Sequence, residues 1–204
     1  MESSKREGND DARSVILPYS KATFSVPNNL YVIGTMNTSD HSLTKLDLAL
    51  RRRFEFEELL PNYGLLEDIK VHNVNISEML KIMNARIEVL LGRDYLIGHS
   101  YFLPLKDMDP KEQKEALAKI FQNKIIPLLQ EYFFEDWERI QWVLNDHNKE
   151  PEYQFVQLLD QIKNDDLAGL FKNVRDIQHI SDRRYQINHK AFGQMEAYSK
   201  IIAE

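Results

Sequence analysis

Residues 30–54 read LYVIGTMNTSDHSLTKLDLALRRRF, and the reading of the whole chain turns on them. Leu30-Tyr31-Val32-Ile33 is a continuous apolar run rich in β-branched and aromatic side chains. That pattern predicts a strand covered on both faces, as in a parallel α/β sheet. The run ends in the polar cluster Thr35-Met36-Asn37-Thr38-Ser39-Asp40. A helix is predicted over Thr44–Arg53: Thr44 can cap it, Asp47 sits at the third helical position, and Leu46 and Leu50 share a face. It closes on Arg51-Arg52-Arg53, after which Phe54-Glu55-Phe56-Glu57 alternates with period two and predicts a half-buried strand. A strand that delivers an amide and a carboxylate at its tip, followed by a cationic helix end, is the arrangement expected beside a nucleotide phosphate. The sequence lacks the loop that would hold that phosphate. A P-loop needs G-x-x-x-x-G-K-[ST], and none of the seven glycines precedes a lysine. Nor does any apolar strand end in Asp-Glu.

Outward from this segment the pattern divides. Residues 1–29 are polar and turn-rich, with Gly8-Asn9-Asp10-Asp11 and Pro27-Asn28-Asn29 as breakers, and read as mostly loop. Pro61 ends the α/β portion. From about 64 to 145 the periodicity is helical. Ile76, Met79, Leu80, Met83, Ile87, Leu90 and Leu91 form one stripe, with Asn75 and Glu78 as a capping pair and Gly92 as the stop. Asp109-Pro110-Lys111-Glu112 is a helix start, and Leu117, Phe121, Ile125 and Leu128 continue that face, with a kink expected from Pro127. Phe133, Trp137, Ile140 and Leu144 make another stripe. Residues 146–181 are polar and weakly patterned, Tyr185–Asn188 reads as a short strand, and 190–202 as a final helix.

The chain of 204 residues suits one ordinary domain or two small ones, and 43% hydrophobic with 28% charged residues argues against wholesale disorder. No window approaches the ~18 uninterrupted apolar residues that cross a bilayer, and the first residues, MESSKREGNDD, form no apolar signal core. The absence of cysteine excludes disulfides and thiolate metal sites and fits a cytoplasmic location. A net charge of −6 means that any nucleic-acid contact must come from a local patch. The six histidines lack metal-ligand spacing, and there is no Ser-His-Asp or paired-carboxylate set.

The run VIGTMNTSDHSLTKLDLALRRRFEFEELLP resembles the AAA+ motor of the McrB family, the GTP-hydrolysing subunit of modification-dependent restriction systems. Members carry a strand ending in GTMNT(A/S)D, a helix ending in ALRRRF, and a strand leading to a proline. Gly98-His99-Ser100-Tyr101-Phe102 and Glu131-Tyr132-Phe133-Phe134-Glu135-Asp136-Trp137 are further matches in the right order. Met1–Arg6 resembles the end of the helix that follows Walker B, so the resemblance covers about residues 1–145. His41 departs from it, standing where many relatives have arginine. The resemblance implies an α/β remnant of an AAA+ core, holding its last parallel strands, followed by a mainly α-helical lid. The divisions it implies are 1–62 for the core remnant, 63–145 for the lid and 146–204 for a family-specific extension. On that reading the chain is the C-terminal part of the module, cut after Walker B, and inactive alone.

Carried over residue by residue, Asn37 matches the sensor-1 position that orients the attacking water. A plain strand-to-helix turn would also use an asparagine there. Asp40 resembles the guanine-reading aspartate of GTPases, or serves as a turn or capping residue. Arg51, Arg52 and Arg53 match the arginine-finger region that reaches a neighbouring subunit's nucleotide. Successive helical residues diverge by about 100°, so Arg51 and Arg52 are taken as fingers and Arg53 as tied to the departing strand. A helix C-terminus favours basic residues in any case, through its dipole. Asp47, one turn before Arg51, is placed to orient it. In the lid, His99 and Ser100 are expected at the nucleotide in a sensor-2-like role, with Arg93 a second candidate and a structural turn the alternative. Tyr132, Phe133, Trp137 and Trp142 read as lid core rather than a base-stacking platform. The resemblance further implies GTP or ATP with Mg2+ in the intact protein and none held tightly by this chain. It implies a ring of copies, expected to be a hexamer, a McrC-type nuclease subunit as partner, and DNA bound through an N-terminal domain that this sequence does not contain. The function so implied is the powering of DNA translocation and cleavage in 5-methylcytosine-dependent restriction. The alternatives are a degenerate lid acting only as a protein-interaction module, and a DNA-binding domain built on the arginine run, which would show steep salt dependence.

Overall fold

The computed structural model describes residues 3–36, 53–161 and 183–202, in two units, Met1–Leu59 and Leu60–Glu204. In the first unit Ser3–Lys5 forms a single helical turn. Strands β1 (Ser14–Ile16) and β2 (Thr23–Ser25) pair antiparallel, with Val15 opposite Phe24. This hairpin lies where loop was expected. Its sequence signal is two short apolar runs around Pro18-Tyr19-Ser20, and Lys21 takes the left-handed φ of 54° that closes the turn. Glu7 accepts a hydrogen bond from Ser25 and Arg6 donates to the Asn28 carbonyl, tying the hairpin to its flanks.

Leu30–Ile33, expected as a buried central strand, forms no strand, and Tyr31 and Ile33 are 83% and 95% exposed. A parallel strand draws its hydrogen bonds and its cover from neighbouring strands and helices. None of these pairs with it among the described residues. Phe54–Glu57 likewise forms no strand, and Phe56 is exposed rather than half-buried. The helix expected over Thr44–Arg53 lies outside the described residues except for Arg53, which sits in a turn.

The second unit is mainly helical. A two-residue hairpin of β3 (Lys70–Val71) and β4 (Val74–Asn75) runs directly into α1 (Ile76–Leu91). Asn75 caps α1 by accepting from the Glu78 amide at 3.2 Å, and the helix stops at Gly92, whose φ of +102° suits a residue without Cβ. The expected stripe is the buried face: Ile76, Met79, Leu80, Met83 and Ile87 are all fully buried. Helix α2 (Pro110–Ile120) begins on its proline, and Asp109 precedes it without a side-chain cap. Where a kink was expected at Pro127, the structure shows a change of helix type. Because Pro127 lacks an N–H, the turn before it, Phe121–Ile125, widens to π geometry, with Ile126 N–H bonded to the Phe121 carbonyl. Helix α3 (Ile126–Tyr132) follows, then α4 (Trp137–Leu144), which Asp136 caps by accepting from the Arg139 amide.

The described residues from 146 onward, 146–161 and 183–202, pack into the same core as the lid helices. Strand β5 (Val156–Gln161), in the stretch read as unpatterned, pairs antiparallel with β6 (Arg183–Ile187), Leu158 facing Tyr185 and an irregularity between Leu158 and Asp160. Helix α5 (Met195–Ile202) closes the unit. Phe155 and Tyr198 enter the same core as α1–α4. Phe121 stacks on Phe155 at 5.5 Å and meets Tyr198 edge-on at 4.9 Å, with Phe155 5.3 Å from Phe192. Such pairs add about 0.5–1.5 kcal/mol each to simple burial. Tyr198 donates its hydroxyl to the Phe192 carbonyl at 2.9 Å, and burial raises its pKa.

The α4–β5 junction carries a buried ion pair. Asp146 accepts from Lys149 Nζ at 2.9 Å and from the Val156 amide at 2.8 Å, and both side chains are fully buried. Lys149 also sits 4.5 Å from the Phe155 ring centre. Burial pushes Asp146 up and Lys149 down to about 8, so desolvation outweighs their mutual attraction.

Candidate functional site

Of the residues singled out in the sequence, Asn37, Asp40, Asp47, Arg51 and Arg52 lie outside the described residues. Arg53 is exposed in the first unit. The described part of the candidate site is therefore the turn that bears His99 and Ser100, in the second unit.

That turn follows α1. After Gly92, residues Arg93–Tyr95 make one helical turn, Ile97 inserts into the core, and Gly98 leads into a second turn, His99–Tyr101. Asn84 fixes it from beneath. This side chain lies in the buried face of α1 with 1% exposure and takes both main-chain polar groups of Ile97: its Oδ1 accepts from the Ile97 amide at 2.8 Å, and its Nδ2 donates to the Ile97 carbonyl at 3.0 Å. The other Nδ2 proton is directed to the Tyr63 hydroxyl at 3.0 Å. A second tie comes from the chain entering the unit, where the Asn62 amide donates to His99 Nδ1 at 3.1 Å. Asn62 Oδ1 accepts from the Gly64 amide, and the Tyr63 carbonyl accepts from Ser77 Oγ at 3.0 Å, so the donor strand is itself anchored to α1.

His99 is thus half-buried on one ring edge, and Ser100 beside it is exposed. Together they offer a hydroxyl and an imidazole at neighbouring positions on a turn tied at Ile97 and at the His99 ring, groups able to contact a polar ligand. Arg93, the second candidate, is exposed and lies 3.9 Å from Glu88, a pair with little energetic weight at the surface. Sequence reasoning picked out His99 and Ser100 and missed Asn84 and Asn62. The signal for Asn84 was present: it is a polar residue on the apolar stripe, four residues after Leu80.

The aromatic set reads mainly as core. Phe133 is buried, Tyr132 meets Tyr95 edge-on at 5.1 Å, and Trp137 stacks against Tyr185 at 6.4 Å. Trp142 differs, being exposed on α4. A hollow of about 480 Å3 lies elsewhere on the unit, lined by Glu152, Gln157, Gln186, Asn188, His189 and Lys190 among others, none of them a residue the sequence had suggested. Among the described residues no group of three or more His, Asp and Glu could hold a metal ion. No described helix is long and apolar enough to cross a membrane.

Residues 75–141, from the cap of α1 into α4, match the model of the McrB alpha-helical lid domain. Over 151 residues, 67% of the chain, the sequence is 36% identical to the Type IV methyl-directed restriction enzyme EcoKMcrB subunit of Escherichia coli K12. The chain belongs to the McrB family. It is also 31% identical over 119 residues, 53% of its length, to the Type II restriction enzyme BsuMI component YdiS of Bacillus subtilis 168. It spans about a third of the length of these two relatives, 32% of each. The clamped His99–Ser100 turn lies inside the McrB lid match, and so does Asn84.

Proposed function

We propose that this chain is the C-terminal part of a McrB-like AAA+ NTPase serving a restriction system. In that protein nucleotide hydrolysis moves DNA and activates a McrC-type nuclease subunit. The observation that carries this reading is the double-anchored Gly98-His99-Ser100 turn within residues that match the McrB lid. The 36% identity to a methyl-directed restriction subunit supports the system, and GTP as the nucleotide rests on resemblance. Asn37 orients the attacking water in the chain's own site, and Asp40 serves the same nucleotide. Arg51 and Arg52, with Asp47 supporting Arg51, serve the nucleotide of the next subunit in a ring, expected to be a hexamer. His99 and Ser100 touch the bound nucleotide from the lid. Mg2+, when bound with the triphosphate, would neutralise charge developing on the phosphates.

The test is Arg52→Ala in the full-length protein carrying this chain, with GTP binding and GTP hydrolysis measured separately. Hydrolysis falls by about 10³-fold or more, as for loss of an arginine finger, while binding is retained. Unchanged turnover would sink the finger assignment. The second reading, a lid that works only as a protein-interaction module, is favoured by one observation: Phe134 and Val89 stand 93% and 86% exposed on it. A full-length protein that binds neither GTP nor ATP yet associates with a McrC-type subunit would select that reading.

A further inference from the structure

We propose that His99 is held as one neutral tautomer, Nδ1 accepting and Nε2 carrying the proton, and donates that Nε2–H to an acceptor atom of the bound nucleotide, with Asn84 as its positioning residue. This deepens the nucleotide-facing reading of the turn and rests on it. A backbone amide can only donate, so the 3.1 Å contact from Asn62 N–H requires a lone pair on His99 Nδ1. The neutral ring then bears its proton on Nε2, at the edge away from Asn62. Protonating Nδ1 would set two N–H groups against each other and break the tie.

Asn84 makes this geometry hold because it grips both sides of the contact. Its Oδ1 and one Nδ2 proton fix Ile97, two residues before His99. Its other Nδ2 proton is directed to the hydroxyl of Tyr63, the residue after Asn62, whose carbonyl is held in turn by Ser77. A buried carboxamide with three of its hydrogen-bonding positions filled thereby sets the distance between the donor strand and the histidine. Replacing it frees both ends at once.

Two measurements test this. First, nitrogen–proton correlation through the imidazole ring reads the tautomer in the chain itself. The wild type shows a bare Nδ1 and a protonated Nε2, and Asn84→Ala shows a mixture. A protonated Nδ1 in the wild type overturns the proposal. Second, GTP and ATP binding is measured on the full-length protein, which settles the matter even where Asn84→Ala does not fold. His99→Gln, whose amide N–H reaches the Nε2 position, stays within about threefold of wild type. His99→Asn, which reaches only the Nδ1 position, and His99→Phe both lose about tenfold, the weight of one good hydrogen bond. A loss shared by GTP and ATP puts the acceptor on the phosphates or sugar, whereas a loss with one nucleotide alone puts it on the base. Equal binding by His99→Gln and His99→Asn overturns the donor assignment. If the tautomer is as stated but every His99 variant binds GTP and ATP like the wild type, the nucleotide-facing reading itself has failed.

Discussion

Asn84 shows how much of this fold depends on one polar side chain placed on an apolar face. Truncated to alanine, it would leave the Ile97 amide and carbonyl buried without partners, at a cost on the order of 3 kcal/mol. Urea unfolding of the chain measures this, and a loss under 1 kcal/mol would mean that water replaces the amide. Gly92 offers a second check at the same scale. A Cβ there would meet nothing within 4 Å, so Gly92→Ala tests backbone strain alone at φ +102°, and about 1–3 kcal/mol is expected from the same titration. The two residues differ in how they could be read from sequence. Gly92 was legible as a helix stop because the apolar stripe ends there. Asn84 left only the trace of a polar residue on the apolar stripe, because its three partners come from Ile97 in the loop after the helix and Tyr63 in the turn before it.

At the scale of elements, legibility followed locality. Helix α1 declares itself through cap, stripe and stop within one run of residues, and the structure reproduces it. Strand β5 does not, because its partner β6, part of which was read as a strand at Tyr185–Asn188, begins more than twenty positions later and such distant pairing is not written into β5 itself. Leu30–Ile33 failed in the opposite way: its composition suits a covered strand, but cover comes from neighbours and not from composition. The π-helical turn at Phe121–Ile125 joins α2 to α3 and turns Phe121 into the aromatic cluster with Phe155 and Tyr198. Phe121→Ala removes the shared partner of both contacts and is expected to cost about 3–5 kcal/mol in chemical denaturation. The Asp146–Lys149 pair behaves differently, since its charges are desolvated. Asp146→Ala strands a buried ammonium and costs about 3–5 kcal/mol, whereas Asp146→Asn with Lys149→Met loses much less. A double variant as unstable as the single one would show that the pair is net stabilising.

For the whole molecule, the two units divide the chemistry as well as the chain. The Leu60–Glu204 unit has a continuous core that draws in residues on both sides of the McrB lid match, so Phe155, Phe192 and Tyr198 pack with the lid helices. The Met1–Leu59 unit holds every residue proposed for the hydrolytic step. In the proposed ring, Asn37 completes the site of its own subunit and Arg52 that of the next, so the two residues of one chain serve different nucleotides. Mixing two inactive full-length variants, Asn37→Ala and Arg52→Ala, tests this division most directly. In a randomly mixed ring with head-to-tail interfaces, about one interface in four pairs an intact Asn37 with an intact Arg52. GTP hydrolysis by the equimolar mixture should therefore recover to about a quarter of the wild-type rate. A mixture no more active than the two variants measured separately would contradict the account.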